Sequence, residues 1–146
     1  MVRLVNRARE LASLEELVSR PGGTMALVWG RRRVGKTALL QSFAEGRRSV
    51  YHIATGRPPA DELAALSAAA APVLEHDLRD LRTRPFRDWD EALEVLGEAA
   101  SDEPLLVVLD EFPEAASTVP ELPSLLRAFW DHAKDRTKLS LVICGS

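Results

Sequence analysis

The feature that most constrains the fold is an apolar run that leads directly into a glycine-rich turn. Residues 25–29 read Met-Ala-Leu-Val-Trp, and a short continuous apolar run of this kind is typical of a strand buried on both faces. Residues 30–37 read Gly-Arg-Arg-Arg-Val-Gly-Lys-Thr, and residues 37–43 have helical character. The segment therefore predicts a buried strand, a tight turn and a helix in direct succession.

The alternation of apolar strands and helices continues along the rest of the chain. Hydrophobic periodicity predicts strands at 49–53, 105–109 and 139–144, and helices at 7–19, 61–71, 88–100 and 121–135. Asp88 is expected to cap its helix, with Glu91 placed to return the hydrogen bond. Uniformly apolar strands separated by helices predict an α/β fold, with a parallel sheet covered by helices on both faces.

Composition places the chain among ordinary globular proteins. Its 146 residues are 46% hydrophobic and 28% charged, which suffices for one modest core and excludes the disordered and fibrous classes. A single cysteine rules out an internal disulfide and favours a reducing compartment. No apolar run approaches the roughly 20 residues that span a bilayer. We therefore expect a soluble, cytoplasmic protein with no membrane partner.

Charge is distributed unevenly between the two parts of the chain. Residues 1–59 hold 11 Lys and Arg against 4 Asp and Glu, whereas residues 60–146 hold 8 against 18. This asymmetry disfavours a uniform coat of nucleic acid and is compatible with a local anion site in the first third. No basic stripe interleaved with aromatic residues supports nucleic-acid binding. No His, Cys and Asp spacing suits a zinc site.

The turn after the first strand matches the pattern G-x-x-x-x-G-K-[ST]. Its glycines let successive backbone N–H groups converge on phosphate oxygens, and the following helix adds its positive dipole end. Lys36 is expected to reach the β- and γ-phosphates, and the Thr37 hydroxyl is expected to ligate Mg²⁺. The arginine run in this turn would raise the positive potential at the phosphate site. Arginines that are simply exposed to solvent in a loop remain the alternative interpretation. The predicted phosphate contacts are Gly30, Arg31, Arg32, Arg33, Val34, Gly35, Lys36, Thr37 and Ala38.

Two carboxylates follow the apolar run at residues 105–109. Asp110 and Glu111 would be delivered to the carboxyl edge of the sheet, where open α/β folds bind their ligands. Asp110 is expected to hold Mg²⁺ through its water shell, completing the site begun by Thr37. Glu111 is expected to orient and deprotonate an attacking water. A base of this kind favours hydrolysis over phosphate transfer to another substrate.

Together these segments resemble the prokaryotic archaeal-type ATPases, a family placed with the STAND NTPases near the AAA+ proteins. The segment at 29–40, which contains the glycine-rich turn, looks like the family's phosphate loop. The resemblance extends along nearly the whole chain. Further similar segments are the N-terminal box at 5–11, the helix start at 86–93, the acidic strand end at 110–113, the helix at 129–131 and the strand at 142–146.

The resemblance implies a P-loop NTPase fold of the ASCE type, binding ATP or ADP with Mg²⁺. In that sheet the strand at 139–144 lies between the phosphate-loop strand and the acidic strand, and Ser146 would sense the γ-phosphate. Asn6 and Arg7 would pack against adenine. Family members continue into a helical lid, so residues 1–146 would be part of an ATPase core, cut after the sensor strand. Protein partners or self-association would then use the region beyond it.

Three functions remain open from the sequence. The first is an ATP-hydrolysing conformational switch, and the second is a nucleotide-dependent interaction module with negligible turnover. The third is a P-loop phosphotransferase, which Glu111 disfavours. An Asn-Lys-x-Asp base-reading motif, as expected of a GTPase, is not found. The adenine preference therefore rests on the resemblance alone.

Overall fold

The computed structural model describes residues 2–29, 35–74 and 80–145, with the backbone alone described for residues 2–8 and 10. One or two helices separate successive strands along these residues. In chain order the elements are α1 (Val2–Ser19), β1 (Thr24–Trp29), α2 (Lys36–Ala44), β2 (Ser49–Ile53), α3 (Pro59–Ala70), α4 (Trp89–Ala99), β3 (Leu105–Asp110), α5 (Phe112–Thr118), α6 (Leu122–Ala133) and β4 (Leu139–Gly145). Among the described residues, no helix has the length and apolar character needed to cross a membrane.

The four strands form one sheet in the order β1-β4-β3-β2, and each neighbouring pair is parallel. This confirms the predicted parallel sheet. Because β4 lies between β1 and β3, the order also confirms the strand arrangement that the resemblance implies. The carboxyl ends of all four strands therefore meet at one edge, at Trp29, Gly145, Asp110 and Ile53.

Helices cover the sheet on both faces, as predicted. Helices α3, α4, α5 and α6 enclose the larger core on one face, against Val107 of β3 and Leu141 of β4. Helices α1 and α2 enclose a smaller core on the other face, against Val108 and Val142. Alternate residues of the same strands thus serve the two cores, as the period-2 geometry of a strand requires.

The prediction that the first strand is buried on both faces is wrong. In β1 the side chain of Leu27 is 67% exposed and that of Trp29 is 60% exposed. Both lie at the edge of the sheet, on the face of the larger core, in register with Ile143 and Gly145. The Trp29 ring lies so close across Gly145 that a Cβ at this position would overlap the ring. Edge position, which an apolar run does not reveal, explains the exposure.

One helix was not predicted from the sequence. Helix α5 begins at Phe112, with Glu111 as the only residue between it and β3. Pro113 in its first turn resembles a helix breaker in sequence, yet proline is well tolerated at a helix start because its missing N–H would have no partner there. Helix α1 also begins at Val2, five residues before the predicted start at residue 7.

The predicted cap of α4 is confirmed. Asp88 Oδ1 accepts a hydrogen bond from the Glu91 backbone N–H at 2.8 Å. The Glu91 carboxylate accepts a hydrogen bond from the backbone N–H of Arg87 at 2.8 Å. The two bonds together fix the direction in which the chain enters α4.

Replacing the cap should destabilise the protein measurably. We expect Asp88→Ala to lower the free energy of unfolding by about 1 kcal/mol, the usual effect of losing an aspartate N-cap. Asp90→Ala is the matched control, because Asp90 is also an acidic residue of the first turn. Asp90 stabilises the helix through the helix dipole, so its replacement should lower the free energy of unfolding by less. Urea unfolding followed by circular dichroism measures both. Equal effects of the two substitutions would contradict the capping role of Asp88.

Candidate functional site

The candidate site lies where α2 begins, opposite the carboxyl ends of β3 and β4. Several predicted phosphate contacts, namely Gly30, Arg31, Arg32, Arg33 and Val34, lie outside the described residues, as does Ser146. Asn6 and Arg7 belong to α1, and their side chains are likewise outside the described part. The described part of the site is formed by residues that follow the turn and by residues at the ends of β3 and β4.

Gly35 sets the direction of α2. Its φ of 77° and ψ of 20° place it in the left-handed region at the N-cap position, which glycine adopts without a steric penalty. Lys36, Thr37 and Ala38 then form the first turn of the helix, with Lys36 buried and Ala38 exposed. The positive end of the helix dipole thus lies beside the Lys36 ammonium, an arrangement suited to anions.

Lys36 crosses from α2 to the ends of two strands. Its Nζ donates a hydrogen bond to the backbone carbonyl of Gly145 at the end of β4. The same Nζ lies 3.9 Å from Glu111 Oε1, and the Lys36 side chain is only 6% exposed. A buried ammonium requires such partners, because desolvating a charge is costly. The structure therefore brings together Lys36 and Glu111, the two predicted catalytic residues.

Asp110 is fully buried and hydrogen-bonded at both carboxylate oxygens. Oδ2 accepts from the Thr37 hydroxyl at 2.7 Å and from the Tyr51 hydroxyl at 2.7 Å, while Oδ1 accepts from the Glu111 backbone N–H at 2.9 Å. Burial by itself raises the pKa of Asp110, but these bonds and one from the Cys144 thiol outweigh it and lower the pKa. Asp110 is therefore held as a carboxylate beside Thr37.

Two hydrogen-bond donors to Asp110 were not predicted from the sequence. Burial, with the neighbouring Asp110 carboxylate, raises the pKa of the Tyr51 hydroxyl and raises the pKa of the Cys144 thiol to about 12. Both groups therefore keep their protons and can donate. Cys144 is fully buried in β4. The sequence does offer one indication of the role of Tyr51, since it is a residue with a polar hydroxyl in a predicted strand. In the structure this strand pairs with the acidic strand, and Tyr51 lies opposite Val108.

Glu111 has an unusual backbone conformation. Its φ of 54° places it in the left-handed region, which among the described residues is otherwise occupied only by glycines. A non-glycine residue in this region stores about 1–3 kcal/mol of strain, and such residues cluster at functional sites. Glu111 is also the N-cap of α5. The sharp change of direction from β3 into α5 directs its carboxylate toward Lys36.

A buried ionisable cluster adjoins this edge of the sheet. The Glu62 carboxylate, 1% exposed, accepts from His52 Nε2 at 2.6 Å, from the Arg57 guanidinium at 3.0 Å, and from the backbone N–H groups of Thr55 and Arg57 at 2.9 and 3.2 Å. The cluster fixes residues 54–58 where β2 ends. Ala54 in turn donates to the carbonyl of Asp110 at 3.0 Å, so this loop is tied to the candidate site.

The donor set fits a nucleotide with Mg²⁺. The Thr37 hydroxyl and the Asp110 carboxylate are hard oxygen ligands of the kind that Mg²⁺ prefers, and Lys36 suits phosphate oxygens. Among the described residues, no group of three His, Cys, Asp or Glu side chains could hold a metal ion. A magnesium ion here would therefore take most of its ligands from water and phosphate, as this ion commonly does.

Comparison with known proteins gives a family. Residues 4–146 match the family model described as an ATPase domain predominantly from Archaea. The chain belongs to this family of archaeal-type P-loop ATPases. An uncharacterised protein of Methanocaldococcus jannaschii is 26% identical over 142 residues, which are 97% of this chain and 29% of that protein. An uncharacterised ATP-binding protein of the same organism is 40% identical over 48 residues, 33% of this chain and 81% of that protein.

Solved structures agree on the fold of this ATPase domain. The Walker-type ATPase PABY2304 of Pyrococcus abyssi superimposes with a TM-score of 0.72 and 22% identity, over 96% of this chain and 45% of that one. Cdc6p of Pyrobaculum aerophilum superimposes with a TM-score of 0.62 and 24% identity, over 95% and 38% respectively. The chain thus spans less than half the length of these solved proteins. It spans under a third of the Methanocaldococcus jannaschii protein that it matches over 142 residues.

The buried cluster should make stability depend on pH. Burial lowers the pKa of His52 in spite of the attraction of Glu62, so the unfolded chain binds a proton at higher pH than the folded one. Acidification through about pH 6.5, the usual histidine pKa, should therefore lower the free energy of unfolding. Urea unfolding at pH 7.5, 6.5 and 5.5 measures this slope.

A pair of histidine variants assigns that slope to one residue. We expect His52→Gln to flatten the pH dependence over this range, because the unfolded chain then no longer gains the proton. His132→Gln, which changes an exposed histidine of α6, is the matched control and should leave the slope as in the wild type. An unchanged slope in His52→Gln would contradict the buried neutral state of His52.

Proposed function

We propose that this domain binds ATP with Mg²⁺ and hydrolyses it, and that the reaction drives a conformational switch. One observation carries the proposal: Lys36, Thr37, Asp110 and Glu111, which lie in two separate parts of the sequence, meet at the carboxyl edge of the sheet. Family membership independently supports a nucleotide-binding ATPase domain. One relative is an ATP-binding protein and one structurally similar protein is an ATPase, which favours adenine over guanine.

Each of the four residues has a distinct proposed role. Lys36 binds the β- and γ-phosphates, and the Thr37 hydroxyl oxygen would ligate Mg²⁺ while its O–H donates a hydrogen bond to Asp110. Asp110 holds the metal through its water shell. Glu111 orients and deprotonates the attacking water, with its carboxylate 3.9 Å from the Lys36 ammonium. When bound, Mg²⁺ would neutralise charge that develops on the phosphate oxygens.

The remaining predicted contacts complete the nucleotide site in this proposal. We propose that residues 30–35 supply backbone N–H groups to the phosphates and that Ala38, in the first turn of α2, also contributes to phosphate binding. Asn6 and Arg7 are the proposed contacts to the base. Ser146 directly follows Gly145, whose carbonyl accepts the Lys36 ammonium, and it senses the γ-phosphate. Phosphate binding that draws Lys36 away from Gly145 would therefore alter the end of β4, which is a route for the switch.

We further propose that residues 1–146 are part of a larger ATPase core. The crossovers from β2 to β3 and from β3 to β4 place their helices on the face of the larger core. Right-handed crossovers would place a helix leading to a strand beyond β1 on that same face, where Leu27 and Trp29 are exposed. The greater length of the relatives supports this reading. The additional region would supply a lid and contacts with a cytoplasmic protein partner or a second copy.

A nucleotide-dependent interaction module with negligible turnover is the second candidate. It is favoured by the bonding of Lys36, which is directed to the Gly145 carbonyl and to Glu111 rather than held away from the protein. In that case nucleotide binding alone would change the protein's conformation, and the bound ATP would not be converted to ADP. Single-turnover hydrolysis in the full-length protein distinguishes the two. A phosphotransferase has less use for Glu111 as a base.

Removal of the Lys36 charge should weaken nucleotide binding. We expect Lys36→Ala to raise the dissociation constant of Mg-ATP at least tenfold, equivalent to about 1.4 kcal/mol, because no other described lysine lies at this edge of the sheet. Titration calorimetry on the folded variant measures it. Lys138→Ala is the control, since Lys138 donates to the Asp102 carbonyl instead. Equal affinity in Lys36→Ala and the wild type would overturn the assignment of the site.

Removal of the proposed base should separate binding from turnover. We expect Glu111→Gln to retain Mg-ATP affinity and to slow phosphate release by the full-length protein roughly 10²–10⁴-fold, the range for loss of a general base. Glu114→Gln, three residues further along in α5, is the control and should retain most of the rate. Unchanged turnover in Glu111→Gln would remove Glu111 from the mechanism, and negligible turnover in the wild type would favour the interaction module.

A further inference from the structure

Tyr51 reaches the metal-binding side of the candidate site from a different strand. Its ring is half-buried in β2 and packs against the smaller core beside α2. Its hydroxyl lies 2.7 Å from Asp110 Oδ2 and 3.4 Å from the backbone carbonyl of Thr37. One side chain therefore joins β2, the acidic end of β3 and the first turn of α2. It is also the only tyrosine in the chain.

The Asp110 carboxylate is held at both ends by donors from different elements. Oδ1 is fixed by the Glu111 backbone N–H, and Oδ2 receives the hydroxyl groups of Thr37 and Tyr51. Thr37 has a competing task in the proposed function, because its oxygen must also face the metal. Tyr51 has no such task. Its rigid ring and two side-chain torsions make it the donor that can hold Oδ2 independently of the ligand.

We propose that Tyr51 is a positioning residue of the magnesium site, fixing the orientation of Asp110 for the water shell of the ion. This inference rests on the proposed function and adds a residue to it. Without the hydroxyl, the side-chain donors that remain to Asp110 are Thr37 and the Cys144 thiol, which is a weak donor. The carboxylate then samples other orientations, so the hydrated ion meets its acceptor in the required geometry for a smaller fraction of time.

The test compares nucleotide binding with and without the ion. For Tyr51→Phe in the full-length protein, we expect the Mg²⁺ concentration that gives half of the full enhancement of ATP binding to rise about three- to tenfold. ATP binding in EDTA should stay within about twofold of the wild type, since the phosphate contacts remain. Ser49→Ala is the matched control: it removes a hydroxyl from the same face of β2, whose partner is the Ala44 carbonyl.

A second readout observes the hydrogen bond itself. With tyrosine labelled by ¹³C at the ring carbon that bears the hydroxyl, the wild type gives one tyrosine signal, because Tyr51 is the only tyrosine. We expect Asp110→Asn to shift this signal in the absence of nucleotide. Addition of Mg-ATP should shift it in the wild type beyond the shift that ATP causes in EDTA. Neither measurement depends on turnover.

The outcomes separate this inference from the proposed function. An unchanged Mg²⁺ dependence in Tyr51→Phe, or an equal loss of ATP binding with and without Mg²⁺, would overturn the role of Tyr51. The proposed function would stand in either case, provided that Asp110→Asn and Thr37→Ala still alter the Mg²⁺ dependence. If those two variants also leave it unchanged, or if the wild type does not bind ATP, the proposed function itself fails and the inference falls with it.

Discussion

The rest of the site depends on one buried charge, the Asp110 carboxylate at the end of β3. A carboxylate without solvent contact is tolerated only when hydrogen bonds replace the water that it has lost. Here those bonds come from the start of α2, from β2, from β4 and from the next residue along the chain. Satisfying this one group therefore aligns α2 with the ends of three strands.

Glu111 shows what the same edge requires of the backbone. The chain must leave β3 and begin α5 within a single residue, and the left-handed conformation of Glu111 achieves this turn. A glycine would adopt it with less strain. Glutamate stands at this position in spite of the backbone strain, and its carboxylate lies near Lys36. This combination indicates that the side chain is required at the site. Glu111 directly follows β3, which is buried along its whole length and which therefore fixes the start of the turn.

Much of the fold could be predicted because its signals are local. Uniformly apolar strands, helical periodicity and the Asp88 cap are all contained in short windows of sequence. The exposure of Leu27 and the contact of Tyr51 with Asp110 are different in kind, because they depend on which strands are neighbours and in which register. The cluster around Glu62 was missed for the same reason. Spacing along one segment carries no information about partners that arrive from another.

The outer edge of β1 has a consequence for the behaviour of these residues in concentrated solution. Within the described part of the chain, β1 pairs on one side only, and its exposed face carries Leu27 and Trp29. A strand edge with unpaired N–H and carbonyl groups beside large apolar side chains is a template for intermolecular pairing. If nothing covers that edge, molecules should associate through it at a rate that rises with concentration. The solubility of the protein would then depend on how completely the outer edge of β1 is covered.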